Sequence, residues 1–119
     1  IITAWKSTGV PNIETHFAVA DGPAFSDPVD PDDLPDGPSK EERDAGRSRV
    51  IATVIGADGT KVRSMIETAS GYSYTGQSGI EVAGRVMRGD FKSGFQSPAS
   101  AYGASLATSI GEGVITDLD

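Results

Sequence analysis

The densest run of side chains able to hold a polar ligand is Gly71-Tyr72-Ser73-Tyr74-Thr75-Gly76-Gln77. Residue pattern places it where a strand hands over to a helix, and the first free amides of a helix attract anions. Hydroxyls of Ser73, Tyr74 and Thr75, with the Gln77 amide, suit a carboxylate or an amide group. The competing reading is an ordinary helix cap with two aromatics packed on a sheet. Gly94-Phe95-Gln96-Ser97-Pro98 is a second junction, read as a loop anchored by Phe95 and capped by Ser97. Arg85 and Arg88 project from the helix between the two junctions. Solvation is the ordinary fate of such guanidiniums, and pairing with a carboxylate is the other.

Little else has the makings of a catalytic group. The one histidine, His16, sits at an expected strand position with no serine or cysteine nucleophile motif around it, so a packed or surface imidazole is the plain reading. The chain has no cysteine, which excludes disulfides, thiolate metal sites and thiol catalysis, and fits a reducing compartment. There is no GxGxxG fingerprint and no P-loop, so no dinucleotide site is expected within this chain. Asp30, Asp32 and Asp36 are hard oxygen ligands of the kind calcium takes. Pro31 and Pro35 interrupt the alternation a calcium loop requires, and a solvated acidic loop is the expectation instead. No metal site is expected.

The elements that must position these residues follow from periodicity and breakers. Thr3 to Ser7 and Ile13 to Val19, rich in β-branched and aromatic residues, read as two strands around a Gly9–Asn12 turn. Residues 21–38 carry acids and prolines together and form an exposed, extended connection. Ser39 and Glu42 make a capping box, so a short helix should run from Lys40 to about Ala45 and close at Gly46. Ser48 to Ile55 and Lys61 to Thr68 read as a hairpin turning at Asp58-Gly59. Its first arm is apolar on both faces, as a more central strand would be; the second alternates, as a strand with one solvated face would. A helix is expected from about Thr75 to Arg88, ended by Gly89-Asp90. Another should start at Ser97-Pro98, bury Tyr102, Leu106 and Ile110, and stop at Gly111. Gly76, Gly79, Gly84 and Gly103 fall inside these helices and would allow close backbone approach. Val114-Ile115-Thr116 returns as a short edge strand. The fold class is α+β, a mainly antiparallel sheet with helices packed on one face.

Size and charge bound the rest. At 119 residues the chain is one domain, 1–119. A net charge of −7 opposes nucleic acid and anionic membranes, and no apolar run approaches the roughly 20 residues of a spanning helix. The first residue is Ile1 rather than methionine, and no signal peptide is visible, so a piece of a longer cytoplasmic protein is the expectation.

Ser7-Thr8-Gly9-Val10-Pro11-Asn12-Ile13-Glu14 resembles the segment that follows the nucleotide domain in saccharopine dehydrogenase-like oxidoreductases. Further matches follow in order at Gly37-Pro38-Ser39 to Arg43, Gly46 to Arg49, Glu67-Thr68 and Gly71-Tyr72 to Thr75. Gly94 to Pro98 and Ala101 to Ala104 complete the series. The resemblance implies an N-terminal Rossmann domain binding NAD or NADP in the parent protein, with this chain as the substrate-side and dimerisation domain of a two-domain dehydrogenase. On that reading Tyr72, Tyr74, Thr75 and Gln77 line a small-molecule substrate pocket, and the chain is inactive alone. Gly76-Gln77 departs from the more apolar pair expected there, and no catalytic residue carries over. Two alternatives are a structural, dimerising module of the same protein and a free-standing ligand- or metal-binding domain.

Overall fold

A computed structural model describes residues 1–17, 32 and 37–118. The chain divides into two units, Ile1–Pro38 and Ser39–Asp119. The acidic stretch, including Asp30 and Asp36 of the calcium reading and the last residues of the Ile13–Val19 strand, falls mostly outside the described residues.

In the first unit a helix, α1 (Ile2–Thr8), replaces the strand expected over Thr3–Ser7. Within it Ser7 Oγ donates to the Thr3 carbonyl at 2.9 Å and Thr8 Oγ1 to that of Ala4 at 2.7 Å. Such back-bonding satisfies the hydroxyls inside a helix, and β-branched residues favour a strand only where a neighbouring strand can pair with them. Gly9 then takes φ +72° and donates its N–H to the Trp5 carbonyl. Residues 13–17 are irregular, so His16 is not on a strand; its Nε2 lies 3.7 Å from the Glu14 carboxylate with both side chains in solvent.

The second unit is α+β. It opens with α2 (Lys40–Ala45), where Ser39 Oγ accepts from the Glu42 N–H and the Glu42 carboxylate accepts from the Ser39 N–H at 2.7 Å. Strands β1 (Arg47–Ile55) and β2 (Lys61–Ala69) pair antiparallel from Arg47↔Ala69 to Ile55↔Lys61. Their turn uses Gly59 at φ +83°, and the Asp58 carboxylate accepts from the Thr60 N–H at 2.9 Å and hydroxyl at 2.8 Å. β3 (Val114–Leu118) pairs antiparallel with the other side of β2, giving the order β1-β2-β3. The expected positions of the hairpin arms are therefore exchanged: β2 is central, and β1 is an edge whose two apolar faces both stay exposed. An apolar strand signals contact with other apolar surface, and nothing in the described residues supplies it here.

Helix α3 (Gly71–Met87) starts four residues before the expected Thr75, because Ser70 is its cap and accepts from the Ser73 N–H at 3.3 Å. Gly76 and Gly79 lie within it, yet a side-chain carbon at either would meet nothing within 4 Å, so neither serves a close approach. The helix expected from Ser97 is two: α4 (Pro98–Tyr102), capped by Ser97, and α5 (Ser105–Ser109). Gly103 between them adopts φ +76° and ψ −176°, which ends one helix and re-aims the next. Leu106 and Ile110 are nevertheless buried, at 5% and 4% exposure, while Tyr102 is half-buried. They are the buried apolar residues among those described, beside the buried hydroxyls of Thr68 and Ser70. No described helix is long and apolar enough to cross a membrane.

Candidate functional site

The Gly71–Gln77 segment forms the first two turns of α3, and its side chains diverge. Residues two apart on a helix do not face each other, so Tyr72 and Tyr74 leave on different sides. Tyr72 is 67% exposed and Thr75 is also in solvent, its carbonyl accepting from Ser78 Oγ at 3.0 Å. Tyr74, half-buried, donates its phenol hydroxyl to the Ala107 carbonyl at 3.2 Å, tying α3 to α5. Gln77, one turn on, lies with its carboxamide against Gly111. Thus Tyr74 ties α3 to α5, Gln77 lies exposed beside Gly111, and Tyr72 and Thr75 face solvent, so the four side chains diverge. The Ser73 hydroxyl accepts from Ser70 Oγ at 3.1 Å within the cap.

A concave feature among the described residues lies elsewhere, between the C-terminal half of α3 and α4. It is a groove of about 160 Å³, walled by Val82, Val86, Phe91, Ala101 and the Tyr102 ring, with Lys92 at its rim. Helical spacing brings Val82 and Val86 to one side, and the Ser97-Pro98 start of α4 sets the other. Polar groups hold the frame. Tyr102 donates its hydroxyl to the Asp90 carbonyl at 2.7 Å, and the Lys92 ammonium donates to the Ser100 carbonyl at 2.9 Å. Ser97 and Ser100 form a reciprocal cap, with Ser100 Oγ also 3.0 Å from the Gln96 carboxamide oxygen. Phe95, expected as the anchor of this loop, is 66% exposed, and Phe91 lines the groove in its place.

Arg85 takes the carboxylate-paired option. Its Nε donates to Glu81 at 2.7 Å, a terminal nitrogen stands 4.0 Å from Asp90, and the guanidinium sits 5.0 Å over the Tyr102 ring. Glu81 and Arg85 at i, i+4 were a readable signal of this pair. The groove itself was not readable, because it depends on the break at Gly103 and the path of residues 90–97.

Chemically this arrangement offers an apolar slot with one ammonium at its edge. At about 160 Å³ it is well below the roughly 300 Å³ of an ordinary small-molecule pocket. Carboxyls displaced from their usual range are explained by structure. Glu42 is held low by the Ser39 N–H and then the Ser39 hydroxyl, Asp44 by Lys40, and Asp58 by the Thr60 N–H and then its hydroxyl. Each is exposed and belongs to a cap, a helix pair or a turn. Among the described residues no three of His, Cys, Asp and Glu gather to hold a metal ion. No family model, curated protein or solved structure matches this chain.

Proposed function

We propose that this chain is the substrate-side, C-terminal domain of a saccharopine dehydrogenase-like oxidoreductase of the cytoplasm, inactive by itself. Its parent would carry NAD or NADP on an N-terminal Rossmann domain, and the ordered motifs from Ser7 to Ala104 are the basis of that kinship. One structural observation supports the reading: the second unit buries few apolar side chains, Leu106 and Ile110 among those described, while Val50, Val54, Val62 and Ile80 remain more than half exposed. Independent domains bury more than this. An adjoining domain that covers such surface would complete the fold, and a small-molecule substrate would then lie between the two, with Tyr72 and Thr75 available to it.

A second reading, a dimerisation module with the chemistry held elsewhere, is favoured by the divergence of Tyr72, Tyr74, Thr75 and Gln77. Both readings meet one experiment. The coding sequence upstream of Ile1 should encode a glycine-rich βαβ unit, and the longer product should enhance NADPH fluorescence where this chain does not. In that product, loss of turnover on Thr75→Val supports the substrate-side role. Unchanged turnover supports the module. An unrelated upstream segment, or no nucleotide binding by the longer product, sinks both.

A further inference from the structure

We propose that β1 is a self-pairing edge: two copies of this chain join β1 to β1 antiparallel about a two-fold axis at Ile51, making one six-stranded sheet. The proposal does not rest on the oxidoreductase reading. It starts from the hydrogen bonds of the hairpin. Gly56 donates its N–H to the Thr60 carbonyl at 2.8 Å, and the register continues through Val54↔Val62, Ala52↔Ser64 and Val50↔Ile66. In an antiparallel ladder such bonded pairs alternate along the strand. The even-numbered residues of β1 therefore bond to β2, and Arg47, Arg49, Ile51, Thr53 and Ile55 present their N–H and C=O groups outward. Among the described residues no backbone hydrogen bond reaches that outer row.

Natural edges are blunted by brevity, proline, bulges or inward charges. The opposite edge, β3, is five residues long and carries Asp117. By contrast β1 is nine residues long, and its register is unbroken from end to end, with no proline. Its two charges are already answered, Arg47 by Glu112 at 3.3 Å and Arg49 by Glu67 at 2.5 Å.

A second copy is the occupant because the strand is complementary to itself, and centring on Ile51 pairs it over its full length, whereas centring on Thr53 would pair only residues 51–55 with one another. Centred on Ile51, the outward rows match along the whole strand, with Ile51 opposite Ile51, Arg49 opposite Thr53 and Arg47 opposite Ile55. On the other face Val50 meets Ala52, a large residue against a small one. Slipping the centre to Arg49 sets two arginines face to face, and moving it to Val50 or Ala52 aligns groups already bonded to β2. Ile51 and Val50, 53% and 62% exposed in the single chain, would each gain a side-chain neighbour across this pairing.

The chain contains no cysteine, so one introduced thiol reports on the register. Ile51 and its own symmetry copy would stand about 5.5 Å apart at Cα, within disulfide reach, whereas Val54 would lie opposite Ser48 and far from its own copy. The whole chain should sediment as a dimer. Ile51→Cys should oxidise to a covalent dimer, and Val54→Cys, on the same exposed strand, should not. Ile51→Lys, placing two ammonium groups on the axis, should weaken the dimer about tenfold or more. Monomers at every concentration, or cross-linking at Val54→Cys equal to that at Ile51→Cys, would overturn the proposal.

Discussion

At the scale of single residues, polar side chains in this protein act on the backbone more than on any ligand. Ser7, Thr8, Ser39, Asp58, Ser70, Tyr74 and Ser97 each bond a main-chain group at a cap, turn or helix contact. The Ser39–Glu42 box gives this a pH dependence. Because the Ser39 donors favour the ionised form, the Glu42 carboxyl lies below its ordinary range in the folded chain. Its contribution to α2 is therefore complete above the ordinary glutamate range and is lost as pH falls through the depressed folded value. Carboxyl NMR should find Glu42 titrating low, and Glu42→Gln should remove the acid-dependent fraying of residues 40–45. A Glu42 titration at or above the ordinary range would overturn the assignment. The caps at Ser39 and Ser97 and the Asp58 turn were legible in the sequence because each needs only neighbours, whereas the Ser70 cap and the Ser7 and Thr8 bonds were not read there. The candidate pocket was not, because the same polar vocabulary writes caps and binding sites, and only the path of the chain separates them.

Among the elements, those set by local chemistry match their sequence signals: α2 by its capping box, the hairpin by Asp58-Gly59, and α4 by Ser97-Pro98. Those judged by apolar pattern alone did less well. Thr3–Ser7 has strand composition and forms a helix, and β1 has the pattern of a central strand and lies at an edge. Apolar pattern records that a surface will be covered, without recording by what. Two glycines test the local rules with opposite signs. Gly59→Ala should destabilise the second unit by about 1–2 kcal/mol, since its +83° φ puts a side-chain carbon in the left-handed region. Gly76→Ala should stabilise it by about 0.5–1 kcal/mol, because the site is helical with open space around it. Urea denaturation of both variants checks the pair, and equal signs would contradict the geometry.

For the whole molecule the controlling fact is how little apolar surface the second unit covers. Where so few side chains are buried, each carries a large share of a total stability of about 5–15 kcal/mol for an ordinary domain. Leu106→Ala should cost about 2–5 kcal/mol and lower Tm by on the order of 10 °C or more, where the variant folds at all. Ile80→Ala, at a 77% exposed position on α3, should change stability by less than about 0.5 kcal/mol in the isolated chain. Circular dichroism melts compare the two directly. Should the Ile80 variant prove as damaging as the Leu106 variant, α3 is covered in solution.

The strand order also sets a timetable during synthesis. β1 and β2 are joined by a five-residue turn, and hairpins close in roughly 1–10 μs. β3 pairs with β2 only after α3, α4 and α5 have been translated, and ribosomes add about 5–20 residues per second. A finished hairpin therefore waits for seconds with both margins bare, while its third strand is still being made. During that interval neighbouring nascent chains on one messenger are the first surfaces it can meet.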